Sequence, residues 1–275
     1  KGPRDYVHAN ESITIDIYEG ETLGLVGESG CGKSTFGRTL LQIYDQTEGT
    51  TLYYGKTIED IAPEYMGKMI KNIPGQYPNY AKAKEELDGI YTELEGASTD
   101  EARAEINERA MLKRHEIEEK YTNMVRIAGG LLESDDLSKV SSLLEDYYKA
   151  LKERAVVLAD IEDFEDKLKM RSRDWDSYHK ALEADNKYKE LTTKRAELSK
   201  KVGEKLNIVD EYRQSLSSKE GFEELESLKD SGIDLSELNS EEMRRMRKDL
   251  QMIFQDPYGS LDTKITVGNI IGEGV

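Results

Sequence analysis

The chain has 275 residues, with 39 basic and 56 acidic side chains and a formal charge of −17, a balance that speaks against a protein that coats nucleic acid. Its single cysteine excludes an internal disulfide and fits a reducing compartment. No apolar run reaches the roughly 18–20 residues that span a bilayer, and residues 1–11 are too polar for a signal peptide, so the expected location is the cytoplasm.

There is no initiator Met, which implies a start inside a longer protein. Ile13, Ile15 and Ile17 alternate with polar residues and predict a half-buried strand. The run from Thr22 to Gly27 is apolar and ends in glycine, which predicts a buried one. Gly27 to Ser34 then reads GESGCGKS and fits the phosphate-binding pattern G-x-x-x-x-G-K-[ST]. Gly27, Gly30 and Gly32 let the backbone wrap closely enough to aim its N–H groups at phosphate oxygens, with Glu28, Ser29 and Cys31 between them. Lys33 is placed to reach the β- and γ-phosphates, and the Ser34 hydroxyl, with Thr35 beside it, to ligate Mg²⁺. The helix predicted from Lys33 to Tyr44 turns its positive end to the same anion, so the expected ligands are ATP and Mg²⁺. Cys31 is a tolerated spacer whose alkylation should block nucleotide, with ATP protecting. Thr51 to Tyr54 predicts another strand.

Prolines stand at 3, 63, 74, 78 and 257, and the proline-free stretch between the last two predicts extended helices. Residues 58–240 also hold −13 of the charge, with 29 basic and 42 acidic side chains. Ser98 and Glu101 have capping-box spacing, Gly129-Gly130 marks a break, and Ser134-Asp-Asp predicts the next start. Leu144, Leu151 and Leu158 repeat at seven, and Tyr147, Ile161, Leu168, Trp175 and Leu182 share the offset register. One helix over 135–183 would be roughly 70 Å long. A second seam runs through Leu191, Leu198, Val202, Val209 and Leu216, so the middle should fold back as an antiparallel hairpin or small bundle. Beyond it, a basic helix is predicted from Ser240 to Asp249, with Asn239 and Glu242 in N-cap and N3 spacing. Gln251 to Gln255 predicts a last strand.

Two blocks, GETLGLVGESGCGKST over 20–35 and QMIFQDPYGSLD over 251–262, resemble the ATP-binding subunits of oligopeptide and dipeptide importers among the ABC-transporter ATPases. The resemblance continues through residues 265–271 and covers about a third of the chain, roughly 7–57 and 234–275; Thr263 stands where the family usually has proline. It implies an α/β P-loop NTPase core, partial here, over 1–57 and 234–275. The residues between, 58–233, would be a large all-α coiled-coil insertion. It also implies that Gln255, as the Q-loop glutamine, contacts Mg²⁺ and the attacking water, and that Tyr6 stacks on adenine. Implied partners are transmembrane permease subunits and a second ABC ATPase subunit, which would hold the chain at the inner face of the membrane; no partner is implied for the insertion. Val156 to Asp160 mimics the family's Walker B strand, but its place in the heptad seam predicts a helix face. The family's signature, Walker B and switch histidine follow the Q-loop, so this chain alone is expected to bind ATP without hydrolysing it. A chromosome-maintenance ATPase of the SMC type would place its coil after the Q-loop. A non-catalytic interaction protein would work through the helical middle.

Overall fold

Helix length in this protein follows from where caps and glycines interrupt a long charged, Ala- and Leu-rich sequence. The computed structural model describes residues 9–253 and 264–272. They fall into two units, one of Thr47–Glu242 and one of Lys1–Gln46 with Met243–Val275.

The larger unit is helical. After β1 (Leu52–Tyr53) and the short α2 (Ile58–Ile61) come α3 (Glu64–Gly96) and α4 (Asp100–Ala128), which pack on each other. Thr99, not Ser98, caps α4, its side chain accepting from the Ala102 N–H. The break at Gly129-Gly130 is as expected: Gly129, at φ 56°, ends α4 and a 3₁₀ turn follows over Gly129–Glu133. The next helix, α5 (Leu137–Arg171), takes Asp136 as its cap, because Ser134 Oγ is occupied by the Asp136 N–H and the Tyr212 hydroxyl.

The single helix expected over 135–183 is two. α5 stops at Arg171, and Asp174 opens α6 (Trp175–Ala184) through a capping box with Ser177. Two side-chain caps in tandem outweigh the propensity that would have carried the helix through. Asp185 caps α7 (Asn186–Ser215), its side chain accepting from the Lys187 and Tyr188 N–H groups, and α7 runs back along α5.

The seams form the core. Leu144, Leu151, Tyr147 and Ile161 of α5 are buried, as are Val202 and Val209 of α7 and Leu216 just beyond it. Each such aliphatic side chain contributes roughly 1.5–3 kcal/mol relative to exposure. Leu158, Leu168, Leu182, Leu191 and Leu198 are half-buried, while Trp175 leaves the register and is exposed. Val156 to Asp160 is helical, with Val157 inside and Val156 outside, so it is a helix face and not a strand.

Helix α3 departs from expectation by containing Pro74 and Pro78. Proline at 74 removes the N–H that would bond the Ile70 carbonyl. Ser141 of α5 replaces it, its hydroxyl donating to that carbonyl at 2.9 Å in a buried setting. Tertiary packing thus supplies the donor that the sequence withheld.

The unit closes where the chain returns. After α8 (Phe222–Ser227), β2 (Ile233–Asp234) pairs antiparallel with β1, Leu52 opposite Asp234 and Tyr53 opposite Ile233. Asp234 is 2% exposed, and its carboxylate accepts from Asn123 Nδ2, the Ser236 N–H and the Ser236 hydroxyl. Its own N–H donates to the Tyr65 hydroxyl. Arg126, also buried, donates to Asn123 Oδ1, the Asp230 carboxylate and the Gly232 carbonyl. A 3₁₀ turn over Leu235–Glu237 then leads to α9 (Ser240–Met246), which is shorter than the helix expected to Asp249. Its start is as read: Asn239 Oδ1 accepts from the Glu241 and Glu242 N–H groups, and Glu242 accepts from the Asn239 N–H.

In the smaller unit, α1 is Lys33–Leu40 and α10 is Val267–Gly272. Neither Ile13–Ile17 nor Thr22–Gly27 forms a ladder, and the parallel sheet expected of an α/β core is not built among the described residues. A strand needs a neighbour for its backbone groups; here Tyr18 and Glu21 close a turn instead, and Ile13, Ile15 and Ile17 are 50%, 41% and 52% exposed. Residues 251–253 are likewise not a strand, and 254–255 lie outside the described residues.

Two outcomes test this account. Ser141→Ala should destabilise the helical unit by about 1–3 kcal/mol in urea unfolding, the range for an orphaned buried carbonyl. Pro74→Ala in that background should recover most of the loss by restoring the helix donor. On acidification, burial would raise the Asp230 pKa, but hydrogen bonds from Arg126, the Gly232 N–H and Tyr54 outweigh it and hold the carboxyl below its usual range. A depressed carboxyl stabilises the fold above its unfolded pKa and loses that contribution as pH falls through its folded one. Melting temperature should therefore drop below about pH 4, and Asp230→Asn should flatten that part of the profile.

Candidate functional site

The segment from Gly27 to Thr35 is a turn that runs directly into a helix. Gly30 and Gly32 have φ of 83° and 93°, the left-handed region that L side chains avoid. Gly32 is constrained twice, since a Cβ there would clash with the Ala9 carbonyl oxygen and with the Asn10 side-chain amide. At Gly27 a Cβ would meet Cys31 Sγ at 2.6 Å. The Cys31 N–H bonds back to the Glu28 carbonyl at 3.3 Å, closing the turn, and the Phe36 N–H bonds to the Gly32 carbonyl at 2.8 Å, opening α1.

Gly32 is the N-cap of α1 and brings no side chain to it, and the first turn contains no acidic residue. The N–H groups at that end, those of Lys33, Ser34 and Thr35 among them, have no acceptor one turn back and carry the helix's partial positive charge. Lys33 folds over the turn it follows. Its Nζ donates to the carbonyls of Gly27 at 2.7 Å and Glu28 at 2.5 Å and lies 3.3 Å from Cys31 Sγ. One ammonium, the helix end and a glycine turn therefore converge, an arrangement suited to an anion with several oxygens. Ser34 is exposed on the first turn of α1, Thr35 half-buried beside it, and Cys31 is an exposed free thiol.

The other end of α1 is shorter than expected, stopping at Leu40 and not at Tyr44. Gln42 turns into the left-handed region at φ 51°. Arg247 then caps the freed carbonyls, donating to those of Leu41 and Gln42. Sequence inspection missed this contact; the only signal was an arginine in a run of basic residues, without a partner to point to. Tyr6 and Gln255 lie outside the described residues.

A cavity of about 460 Å³ in the helical unit is lined by Arg126, Tyr147, Arg213 and Lys229 among others. Its cations are already engaged: Arg126 with Asp230 at 2.8 Å, Arg213 with Glu226 at 2.8 Å, and Lys229 with Glu226 at 3.7 Å. Among the described residues no group of three His, Cys, Asp or Glu side chains could hold a metal ion, and no helix is long and apolar enough to cross a membrane.

Comparison with known proteins points to the same loop. The ABC transporter family model matches residues 10–220, more than half of the chain. That span stops before the block at 251–262. The oligopeptide transport ATP-binding protein OppF of Bacillus subtilis (strain 168) is 54% identical over 56 residues, 20% of this chain and 18% of that protein. AppF of the same organism, also an oligopeptide transport ATP-binding protein, is 47% identical over 68 residues, 24% of this chain and 21% of its own. The dipeptide transport ATP-binding protein DppF of Lactococcus lactis subsp. cremoris (strain MG1363) is 48% identical over 63 residues, 22% and 20% of the two chains. The match thus spans about a fifth of the length of these relatives. No solved structure matches the chain.

Gly32→Ala tests the loop itself. The substitution should speed amide hydrogen exchange at Phe36, whose N–H is bonded to the Gly32 carbonyl, while exchange in α5 stays unchanged.

Proposed function

The chain belongs to the ABC transporter family, and on that premise we propose that it is the ATP-binding component of a peptide importer. The observation that carries the proposal is the Lys33 ammonium held over a glycine turn at the start of α1. On ATP binding, Lys33 exchanges the Gly27 and Glu28 carbonyls for β- and γ-phosphate oxygens. The backbone N–H groups from Gly27 to Ser34 take the remaining phosphate oxygens. The Ser34 hydroxyl would be this loop's ligand to Mg²⁺, which would neutralise phosphate charge, a small role natural to an ion that keeps few protein ligands. Gln255 on the metal and attacking water and Tyr6 on adenine extend the same proposal.

The names of the matched relatives support the substrate class: they are oligopeptide and dipeptide transport proteins. ATP binding and hydrolysis would then be coupled to transport through transmembrane permease subunits and a second ATPase subunit, at the inner face of the membrane. Residues 1–57 and 234–275 would be parts of the ATPase core, with 58–233 inserted between them.

Calorimetric titration of the chain with Mg²⁺–ATP, beside Lys33→Ala, tests this. The parent should bind, and the variant should bind about ten- to a hundredfold more weakly, the effect of losing charge-assisted hydrogen bonds. A parent that does not bind, or a variant that binds equally well, overturns the proposal. Alkylation of Cys31 should be slowed by ATP and should abolish binding in turn.

A further inference from the structure

The far end of the α5–α7 pair breaks the rule that governs the rest of the helical unit. Trp175, which the heptad register assigns to the seam, is 62% exposed, and Met170 nearby in sequence is 69% exposed. Trp175 is nonetheless held in place: its ring stacks on Tyr178 at 5.4 Å and meets His179 edge-on at 4.6 Å. A tryptophan fixed on one side and open on the other is not surplus core; it is a displayed apolar face with a polar N–H.

The charge at this end is also anomalous. Of the seven residues 167–173, four are basic and none acidic, in a chain of net charge −17. Lys167, Lys169, Arg171 and Arg173 are all exposed. None makes an ion pair among the described residues, whereas elsewhere in the unit lysines reach across helices to carboxylates, as Lys201 does to Glu153 and Lys205 to Asp146. Lys169 and Arg171 do offset the negative end of α5. That explains neither the other two cations nor the exposed Trp175 and Met170. The next carboxylate, Asp174, is committed to capping α6, where it accepts from the Ser177 N–H at 2.7 Å and hydroxyl at 2.8 Å. The cluster lies about 40 Å along α5 from Leu144. That is several Debye lengths of about 8 Å, so charges near Leu144 are screened from whatever this end meets; Glu165 and Asp166, immediately before the basic run, are the nearby carboxylates and act on Tyr178.

We propose that the end of the α5–α7 pair is a contact site for an anionic membrane surface. Trp175 and Met170 enter the headgroup layer, and Lys167, Lys169, Arg171 and Arg173 face the lipid phosphates. Tryptophan settles where one side is apolar and the other wet, and unpaired Lys and Arg beside it are attracted to anionic lipid. A nucleic acid shares the phosphate chemistry, but a single-stranded one is held by successive stacking platforms, and this end offers one open ring face. The proposal is independent of the nucleotide site.

Trp175 is the chain's only tryptophan, so its fluorescence reports on this end alone. The full chain is titrated with phosphatidylcholine vesicles with and without phosphatidylglycerol. With anionic vesicles only, the emission should shift to shorter wavelength and the protein should co-sediment, both effects fading as salt rises. Lys169→Gln with Arg173→Gln should weaken co-sedimentation roughly thirtyfold, with the circular dichroism spectrum unchanged. The same neutralisation at Lys71 and Lys82 of α3 should leave it intact. The proposal is overturned by no response to anionic vesicles, by equal binding to neutral ones, by equal sensitivity to the α3 variant, or by a stronger response to a single-stranded oligonucleotide.

Discussion

The helical unit depends on one buried carboxylate. Asp234 sits where β2 returns to β1, and donors from two parts of the chain converge on it or on its neighbours: Asn123 and Arg126 from α4, the latter through Asn123 and Asp230, and the Ser236 N–H and hydroxyl from the following turn. Removing a charge from water is tolerated only when it is fully hydrogen-bonded. Here that condition ties the C-terminal end of α4 to both strands, and so fixes where a stretch of some 180 residues begins and ends. Tyr65 adds α3 to the same point, its hydroxyl accepting from the Asp234 N–H, and burial pushes its pKa up to about 12. All three long-range elements, α3, α4 and the strand pair, are registered by polar contacts that an apolar core alone could not specify.

What could be read from the sequence was whatever repeats or caps locally. The seam through Leu144, Leu151, Val202 and Val209 needs only period and composition, and the structure buries those residues. The phosphate-loop pattern is largely local, because the positive φ of Gly30 and Gly32 and the approach of Gly27 to Cys31 lie within the loop, although Gly32 also packs against Ala9 and Asn10. The Asn239–Glu242 capping box was legible for the same reason.

The failures have physical causes. Alternation at Ile13, Ile15 and Ile17 shows only that a strand would have one apolar face; whether a ladder forms depends on a neighbour that alternation does not encode. Helices were expected only in the proline-free stretch after Pro78, because the donor that lets α3 run through Pro74, Ser141, is 67 residues away. The break before α6 was hidden because the heptad register through Leu168, Trp175 and Leu182 runs straight across it, and the Asp174–Ser177 box lacks the Glu or Gln that marks such a box in sequence. Arg247 and the carbonyls it caps are separated by more than 200 residues, beyond any local rule.

The pairing of α5 with α7 has a consequence for evolution. Both helices keep a seven-residue period along their shared seam, so a matched gain or loss of seven residues in each preserves which faces meet. Each such step would move the distal end by about 10 Å and leave the root near Leu144 and Val209 untouched. An unmatched change of three or four residues would instead rotate the seam by a large fraction of a turn. The arm is therefore a ruler graduated in heptads, whose reach can drift among descendants while its base stays the same.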